Sequence, residues 1–329
     1  MAGYVIEESF CRHPKVLTAT EISLRLGITY RSALTLKRRI QVLASEMMPA
    51  MKKLIHKELR KEFPDSFRLP DNGSDVSEHV KDKNIVHADT MVLYSARERY
   101  GRKRHQNKGL TSSIYRSEKL GGEQIGTLVH VITDGKFVLL DSVPDLTANT
   151  CGPIIKDSLP RNTALFTDEG YKWLFRIYPN HRMVNHSLKS EDKRYKFSKQ
   201  RWKQNGVHNQ KAEGMNGSLK ANMRGYVYFR PVYSTLYLNE WAFFKNLRHF
   251  GVDKVASSLA SSNGSALSSA SRRRRAGGVI HGSEPGNIAE KVLEAPMSGC
   301  GDSEGGIRRP ALLRRLLPQQ FRLHLRAFE

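Results

Sequence analysis

The alternation of short apolar segments with helical segments between residues 85 and 254 constrains the fold more than any other feature of this chain. Apolar runs of strand length are bounded by turn residues, and Asp134-Gly135 between two of them is a strong hairpin signal. The predicted strands are 85–94, 124–133, 136–143, 164–167 and 182–184. The predicted helices are 151–159, 171–178, 212–223 and 237–247.

This order of elements predicts an α/β domain. Three antiparallel strands are followed by a helix, a parallel strand and further helices. That is the order of a ribonuclease H-like domain, in which helices flank a mixed sheet. We therefore assign residues 85–254 to a ribonuclease H-like domain.

The net charge and the cysteines restrict the partners and the compartment. The 329 residues include 54 Lys and Arg against 32 Asp and Glu, for a net charge of +22. Such a chain suits a polyanion such as DNA, although a generically basic protein has the same balance. Neither an apolar run of about 18 residues nor a signal-like start is present, so we expect a cytoplasmic protein without a membrane partner. Cys11, Cys151 and Cys300 lie too far apart for a disulfide framework or a usual four-ligand zinc site.

Residues 1–63 show the pattern of a helix-turn-helix DNA-binding region. Thr18 and Glu21 have the spacing of a capping box, Gly27 marks a turn, and Thr29 can cap the next helix. The basic face of that second helix carries the predicted DNA contacts Arg31, Lys37 and Arg38. A helix, a glycine turn and a basic helix are typical of DNA-binding domains. The alternative is a plain helical hairpin with a solvated basic face.

Two further segments lack a periodic apolar pattern. Residues 64–84 contain turn signals such as Asn72-Gly73 and are predicted to be a linker. Residues 255–329 begin with a stretch rich in Ser and Ala and contain one Lys against ten Arg. We predict a low-complexity basic tail that is disordered. The abrupt switch from Lys to Arg suggests a different coding origin, a hypothesis that the nucleotide sequence would settle.

Three carboxylates stand where a phosphoryl-transfer site could form. Asp89 lies inside the first strand, where a buried carboxylate is costly without a partner. Asp168 follows the strand at 164–167, and chemistry gathers at the carboxyl ends of strands in open α/β sheets. Glu213 lies on the helix at 212–223. If they converge, they supply the hard oxygen ligands that Mg²⁺ requires. Taken singly, each has a structural alternative: a hydrogen-bonded strand residue, a helix cap and a solvated helix residue.

Two more residues accompany the third carboxylate. Lys220 lies seven residues after Glu213, hence on the same helix face, where it could neutralise a phosphate. His208 precedes Glu213 by five residues and is a candidate DNA contact. The alternatives are a surface lysine and a structural histidine.

The motifs together resemble a known family. They are Asp89 after a strand, Thr167-Asp168-Glu169-Gly170-Tyr171, Val184-Asn185-His186-Ser187, His208 with Glu213 and Lys220, and Tyr237 to Trp241 ending in Asn246. Over about residues 85–250 their order resembles the DDE transposases of bacterial insertion sequences, most closely the subgroup numbered fifteen ninety-five. The resemblance implies binding at terminal inverted repeats, cleavage at the element ends and joining of the freed 3′ hydroxyls to target DNA.

The resemblance also implies a cofactor and roles for individual residues. Mg²⁺ or Mn²⁺ would be bound by Asp89, Asp168 and Glu213, with Lys220 as the basic catalytic residue. The partners would be double-stranded DNA, at the transposon ends and the target, and further copies of the chain assembled on that DNA. A bacterial, nucleoid-associated location follows from the same resemblance.

The sequence departs from the family pattern at three places. Relatives often begin with a four-cysteine zinc ribbon, whereas only Cys11 precedes the helix-turn-helix pattern. Thr90 follows Asp89 where Glu is common, and Gln210 stands three residues before Glu213 where Asn is common. A DNA-binding regulator with an inactive catalytic domain, and a metal-dependent nuclease of the same fold, are therefore alternatives to an active transposase.

Overall fold

A computed structural model describes residues 1–93, 103–106, 113–116, 127–226 and 233–258. The α-helices are α1 Ala2–Arg12, α2 Ala19–Leu26, α3 Tyr30–Glu62, α4 Ser77–Val80, α5 Ala148–Ser158, α6 Gln210–Met223 and α7 Ser234–Phe250. The strands are β1 Val86–Leu93, β2 Lys103–Gln106, β3 Ser113–Arg116, β4 Thr127–Thr133, β5 Val138–Val143, β6 Leu165–Asp168, β7 His181–Val184, β8 Lys203–Gln204 and β9 Val207–His208. Short 3-10 helices span Glu169–Arg176, Lys199–Arg201 and Arg224–Tyr226.

A mixed five-stranded sheet forms the centre of the molecule, as the sequence predicts. Its strand order is β5-β4-β1-β6-β7. Strands β1, β4 and β5 are antiparallel neighbours, whereas β6 is parallel to β1 and β7 is parallel to β6. All seven residues of β4 are buried, because this strand has neighbours on both sides and α6 packs on it. The α/β architecture with flanking helices is therefore confirmed.

The predicted hairpin joins β4 to β5. Gly135 has φ of +93°, a value that side chains disfavour, and the Oδ1 atom of Asp134 accepts hydrogen bonds from the backbone N–H groups of Lys136 and Phe137, both at 2.8 Å. The side chain of Asn246 on α7 bonds both the N–H and the carbonyl of Val138, at 2.8 Å each. This contact fixes α7 against the edge strand.

The local signals at the N-terminal helices are also confirmed. Thr18 and Glu21 form a complete capping box, Gly27 adopts the left-handed conformation at φ of +63°, and the Thr29 side chain accepts a hydrogen bond from the Ser32 N–H. Helix α3 is 33 residues long and packs along α7. Its apolar side chains belong to the same continuous core as those of the sheet. That shared core joins the predicted DNA-binding region to the rest of the molecule, and DNA binding by this region stays a prediction.

The predicted linker at 64–84 packs against the α/β domain over part of its length. Leu69 and Val76 are buried, and the Leu69 N–H donates to the Asn180 side chain at 2.8 Å. The segment therefore does not behave as a free tether between its ends.

The predicted tail begins inside the fold. Val255 and Ala256 are buried, and residues 252–258 are helical. Residues 259–329, with the rest of the predicted tail, lie outside the described part of the chain. Among the residues that the structure describes, no helix is long and apolar enough to cross a membrane.

Candidate active site

The centre of the sheet brings the first two carboxylates together. In the parallel pair of β1 and β6, Val86 is opposite Leu165 and His87 is opposite Phe166. Continuing this register by two residues puts Asp89 level with Asp168, the last residue of β6. Period-two alternation then directs both side chains to the same face of the sheet.

Asp89 is held by two hydrogen bonds and surrounded by negative charge. Its Oδ1 accepts from the Thr90 N–H at 2.7 Å, and its Oδ2 accepts from the Asn216 amide at 2.8 Å. The pKa of Asp89 is raised to about 7, mainly by burial, next by the negative charge of Asp168 and to a smaller extent by that of Glu213. The Lys220 ammonium opposes this shift, so all four side chains lie within electrostatic range of one another.

Asp168 combines the predicted cap with a place in the acidic cluster. Its Oδ1 accepts from the Gly170 N–H at 3.0 Å and thereby caps the 3-10 helix Glu169–Arg176. Burial nevertheless raises the pKa of Asp168 above its usual range, while this hydrogen bond and the nearby His186 act in the opposite direction. In both aspartates the ionised form is therefore less stable than it is in a solvated carboxylate.

Helix α6 presents the remaining predicted residues to this cluster. It packs on β1 and β4, and Glu213, Asn216 and Lys220 follow one another at spacings of three and four, which places them on one helix face. The Oε1 atom of Glu213 lies 3.6 Å from Nε2 of His186, on the loop after β7. The structure thus places the predicted catalytic set Asp89, Asp168, Glu213 and Lys220 in one region, while the roles of these residues stay predictions.

The carboxylates of this region are candidate ligands for a divalent cation. Within the described ranges, no three His, Cys, Asp or Glu side chains approach closely enough to form a metal-binding group. Mg²⁺ commonly uses one or two carboxylates and fills its other positions with water and substrate phosphate. Two facing aspartates with raised pKa values suit that requirement, because a cation would offset their repulsion. Glu213 does not complete a three-carboxylate cluster in this arrangement.

His186 has a position at the site that sequence reasoning did not assign. It lies within electrostatic range of Asp168, it contacts Glu213, and its ring is 5.4 Å, centroid to centroid, from the Trp202 ring. The motif Val184-Asn185-His186-Ser187 was the available signal, but the motif alone does not reveal a contact with Glu213. His208, the predicted DNA contact, is half-buried and stacks on the His87 ring at 5.1 Å.

The structure corrects one predicted DNA contact on α3. Lys37 is buried and forms an ion pair with Glu240 of α7, so its ammonium is not available to DNA in this arrangement. Arg38 is half-buried, stacks on Tyr233 and donates to the Tyr237 hydroxyl at 3.1 Å. Arg31 is exposed near the start of α3. The error arose because the basic face of α3 is also the face that α7 covers.

The fold and the acidic cluster together indicate a structural class for this protein. A mixed sheet with this strand order, with aspartates on its adjacent parallel strands and a helix that carries Glu213 beside them, is consistent with a ribonuclease H-like domain of DDE type. Residues 100–246 match the family model described as the ISXO2-like transposase domain. The resemblance predicted from the motifs is thereby confirmed.

The matched segment contains three of the four predicted catalytic residues. Asp168, Glu213 and Lys220 fall inside residues 100–246, and Asp89 precedes the first matched residue. Comparisons with the curated proteins and with the solved structures gave no match. A transposase role therefore rests on the family match.

Proposed function

We propose that the protein is an insertion-sequence transposase that binds the transposon ends, cleaves DNA there and joins the freed 3′ hydroxyls to target DNA. The observation that carries the proposal is the facing pair Asp89 and Asp168, whose pKa values are both raised, beside Glu213. A buried cluster of like charges lowers the stability of the fold unless a cation neutralises it. Such clusters are therefore found mainly at functional sites. The family match over residues 100–246 supports DNA cleavage and joining as the chemistry of this cluster.

The residues divide the work as follows. Asp89 and Asp168 would hold a divalent ion, Mg²⁺ or Mn²⁺, and Asn216 fixes the Asp89 carboxylate through the hydrogen bond at 2.8 Å. When bound, the ion supplies activation of the attacking oxygen and neutralises charge on the phosphate. Glu213 takes the third acidic place of the DDE pattern. Lys220, on the same face of α6, contacts a phosphate oxygen near the scissile bond.

Binding to double-stranded DNA precedes this chemistry. The net charge of +22 supports sequence-independent attraction to phosphates. Among the three predicted helix-turn-helix contacts, Arg31 is exposed. Two transposon ends must be held together for joining, so we include assembly of several copies on DNA in the proposal. A bacterial cytoplasmic, nucleoid-associated location fits such a substrate.

The test is cleavage of a supercoiled plasmid that carries the inverted repeats flanking the gene. Wild-type protein should nick at the repeat ends and form joined products in Mg²⁺ or Mn²⁺. Asp89→Asn and Asp168→Asn should each lower the cleavage rate on the order of 10³-fold and leave DNA binding nearly unchanged. Asp141→Asn is the matched control, because Asp141 is another carboxylate of the sheet whose pKa is raised by burial, but it faces Lys52.

The outcomes separate the alternatives. Cleavage without joined products would indicate a nuclease of the same fold. DNA binding without cleavage would indicate a regulator with an inactive catalytic domain. Equal cleavage by Asp168→Asn and wild-type protein would show that the acidic cluster is not the site of chemistry.

A further inference from the structure

The chain between β7 and β8 forms an exposed, basic and aromatic projection. We name residues 188–203 the basic aromatic arm. Five Lys and two Arg against Glu191 and Asp192 give this arm a net charge of +5. Three aromatic rings are interleaved with the basic residues: Tyr195, Phe197 and Trp202.

These rings are exposed rather than part of the core. The exposed fractions of Tyr195, Phe197 and Trp202 are 58%, 38% and 46%. Only six large apolar side chains of the described residues are this exposed, and half of them lie in the arm. Scattered exposure needs no explanation, but such a concentration in one short segment indicates a binding surface.

The arm has a defined shape despite its lack of buried apolar side chains. The Ser198 N–H donates to the Leu188 carbonyl at 2.9 Å, and Lys189 and Phe197 form an antiparallel bridge. Cationic groups lie over the rings, with the Arg201 guanidinium 4.9 Å from the Phe197 centroid and 4.6 Å from the Trp202 centroid. The rings are therefore oriented before any ligand arrives.

The base of the arm is fixed to the domain. Strands β8 and β9 are joined by Asn205 and Gly206, which both have positive φ values, as a tight two-residue hairpin turn requires. The Val76 N–H donates to the Asn205 carbonyl at 3.0 Å, and a Cβ on Gly206 would lie 2.7 Å from the Ser77 backbone nitrogen. This close approach holds the hairpin against the segment that precedes β1.

The arm leads directly to the acidic cluster. The Trp202 ring is 5.4 Å from the His186 ring, and His186 Nε2 is 3.6 Å from the Glu213 carboxylate. A strand held on the arm would therefore continue towards Asp168 and Glu213. A single side chain, that of His186, separates Trp202 from Glu213.

The chemistry of the arm favours unpaired nucleotides over other occupants. Lysine is depleted in the cores of protein–protein interfaces, whereas this arm alternates Lys and Arg with aromatic rings. Cations that follow a phosphate backbone and rings that stack on bases are the two components of single-strand binding surfaces. A regular duplex offers phosphates and base edges but no free base faces within its length.

We propose that the basic aromatic arm binds unpaired nucleotides of the strand whose phosphodiester lies at the acidic cluster, with Trp202 stacking on a base. The assignment of that strand to a transposon end rests on the proposed function. Stacking itself requires no metal and no cleavage.

The test measures binding of a fluorescent oligo(dT) of about 12 nucleotides to the full chain in EDTA, near physiological salt. Trp202→Ala should weaken this binding roughly 5- to 150-fold, the range that stacking of one base on an aromatic ring spans. Trp202→Phe is the matched control, because it keeps a ring and the net charge, and it should retain most of the affinity. Binding of a duplex of equal length should change little in either variant.

A second readout reports on the ring itself. The chain has three Trp, of which Trp241 is buried and Trp173 is partly buried, so Trp202 contributes the exposed emission. Oligo(dT) should quench the tryptophan fluorescence of wild-type protein, and Trp202→Phe should remove this quenching. Phe197→Ala and Phe197→Tyr provide a second pair for the affinity measurement: Phe197→Ala should weaken oligo(dT) binding, and Phe197→Tyr should retain most of it.

The outcomes keep this inference separate from the proposed function. Equal oligo(dT) affinity of Trp202→Ala and wild-type protein overturns the role of the arm even if plasmid cleavage proceeds. Weakened binding in Trp202→Ala supports the arm even if no cleavage is found, and Asp168→Asn should bind oligo(dT) like wild-type protein. If Trp202→Ala instead lowers the oligomeric mass of the DNA-free protein, the arm is a contact between copies and the proposal is wrong.

Discussion

Two groups of buried charges in this molecule differ in how their charge is balanced. Between α3 and α7, the carboxylate of Glu240 receives the Lys37 ammonium, the Gln41 amide at 3.0 Å and the Tyr226 hydroxyl at 3.3 Å. At the centre of the sheet, Asp89 and Asp168 face each other, and burial raises the pKa of both.

The comparison separates a structural group from a candidate functional one. The charges of Lys37 and Glu240 cancel inside the protein, so this network can be stable without any ligand. The negative charge at Asp89, Asp168 and Glu213 exceeds the opposing charge of Lys220. Binding of a cation would therefore stabilise this cluster. The sequence motifs predict that Asp89, Asp168 and Glu213 belong together, but no sequence signal pairs Lys37 with Glu240.

The largest effect on stability should come from the balanced network. Glu240→Gln keeps hydrogen-bonding capacity towards Gln41 and Tyr226 but leaves the Lys37 ammonium buried without its counter-charge, which should lower the free energy of unfolding by about 3–5 kcal/mol. The double variant Lys37→Met with Glu240→Gln removes the stranded charge and should recover most of the loss. Denaturant unfolding measures both variants. A Glu240→Gln protein as stable as the wild type would contradict the balanced network.

The next effect concerns the unbalanced cluster. Mg²⁺ or Mn²⁺ at about 100 times its dissociation constant should raise the free energy of unfolding by about 2.7 kcal/mol, because the ion binds the folded state. Asp168→Asn should remove this stabilisation, whereas Asp141→Asn should retain it, and a thermal melt with and without metal measures the difference. The same metal-induced shift in wild-type and Asp168→Asn protein would place the ion elsewhere.

The smallest effect comes from a buried group that carries no charge at neutral pH. His130 on β4 is fully buried, neither of its ring nitrogens has a hydrogen-bond partner among the described residues, and burial lowers its pKa to about 4. The unfolded chain binds a proton near pH 6.5 and the folded chain near pH 4, so stability falls as the pH drops between these values. By pH 5 this group should cost about 1–2 kcal/mol.

A substitution isolates the contribution of His130. His130→Leu should reduce the loss of stability between pH 7 and pH 5 by about 1–2 kcal/mol but not abolish it, because burial also lowers the pKa values of His13, His87 and His181. The exposed His79→Leu should leave the slope unchanged. Unfolding by denaturant at the two pH values measures this slope. An unchanged slope in His130→Leu would show that His130 is not responsible for the acid sensitivity.

The architecture could be predicted from short-range signals in the sequence. The capping box at Thr18 and Glu21, the left-handed Gly27 and the turn at Asp134-Gly135 each depend on residues a few positions apart. The mixed sheet followed from the order of apolar runs and helical segments along the chain, which is that of a ribonuclease H-like domain. The family motifs then predicted which acids belong together.

Tertiary structure decided which surfaces of these elements are free, and no local pattern contains that information. Lys37 belongs to a basic helix face by its spacing, but Glu240, 203 residues later, removes it from the surface. Residues 64–84 look like a linker by composition, but Asn180 and Asn205 fix them to the domain. Burial and charge balance depend on side chains that are distant in the chain. The sequence by itself therefore determined the secondary-structure elements and the candidate acidic residues. The fold decided which charges are paired and which surfaces remain open to a ligand.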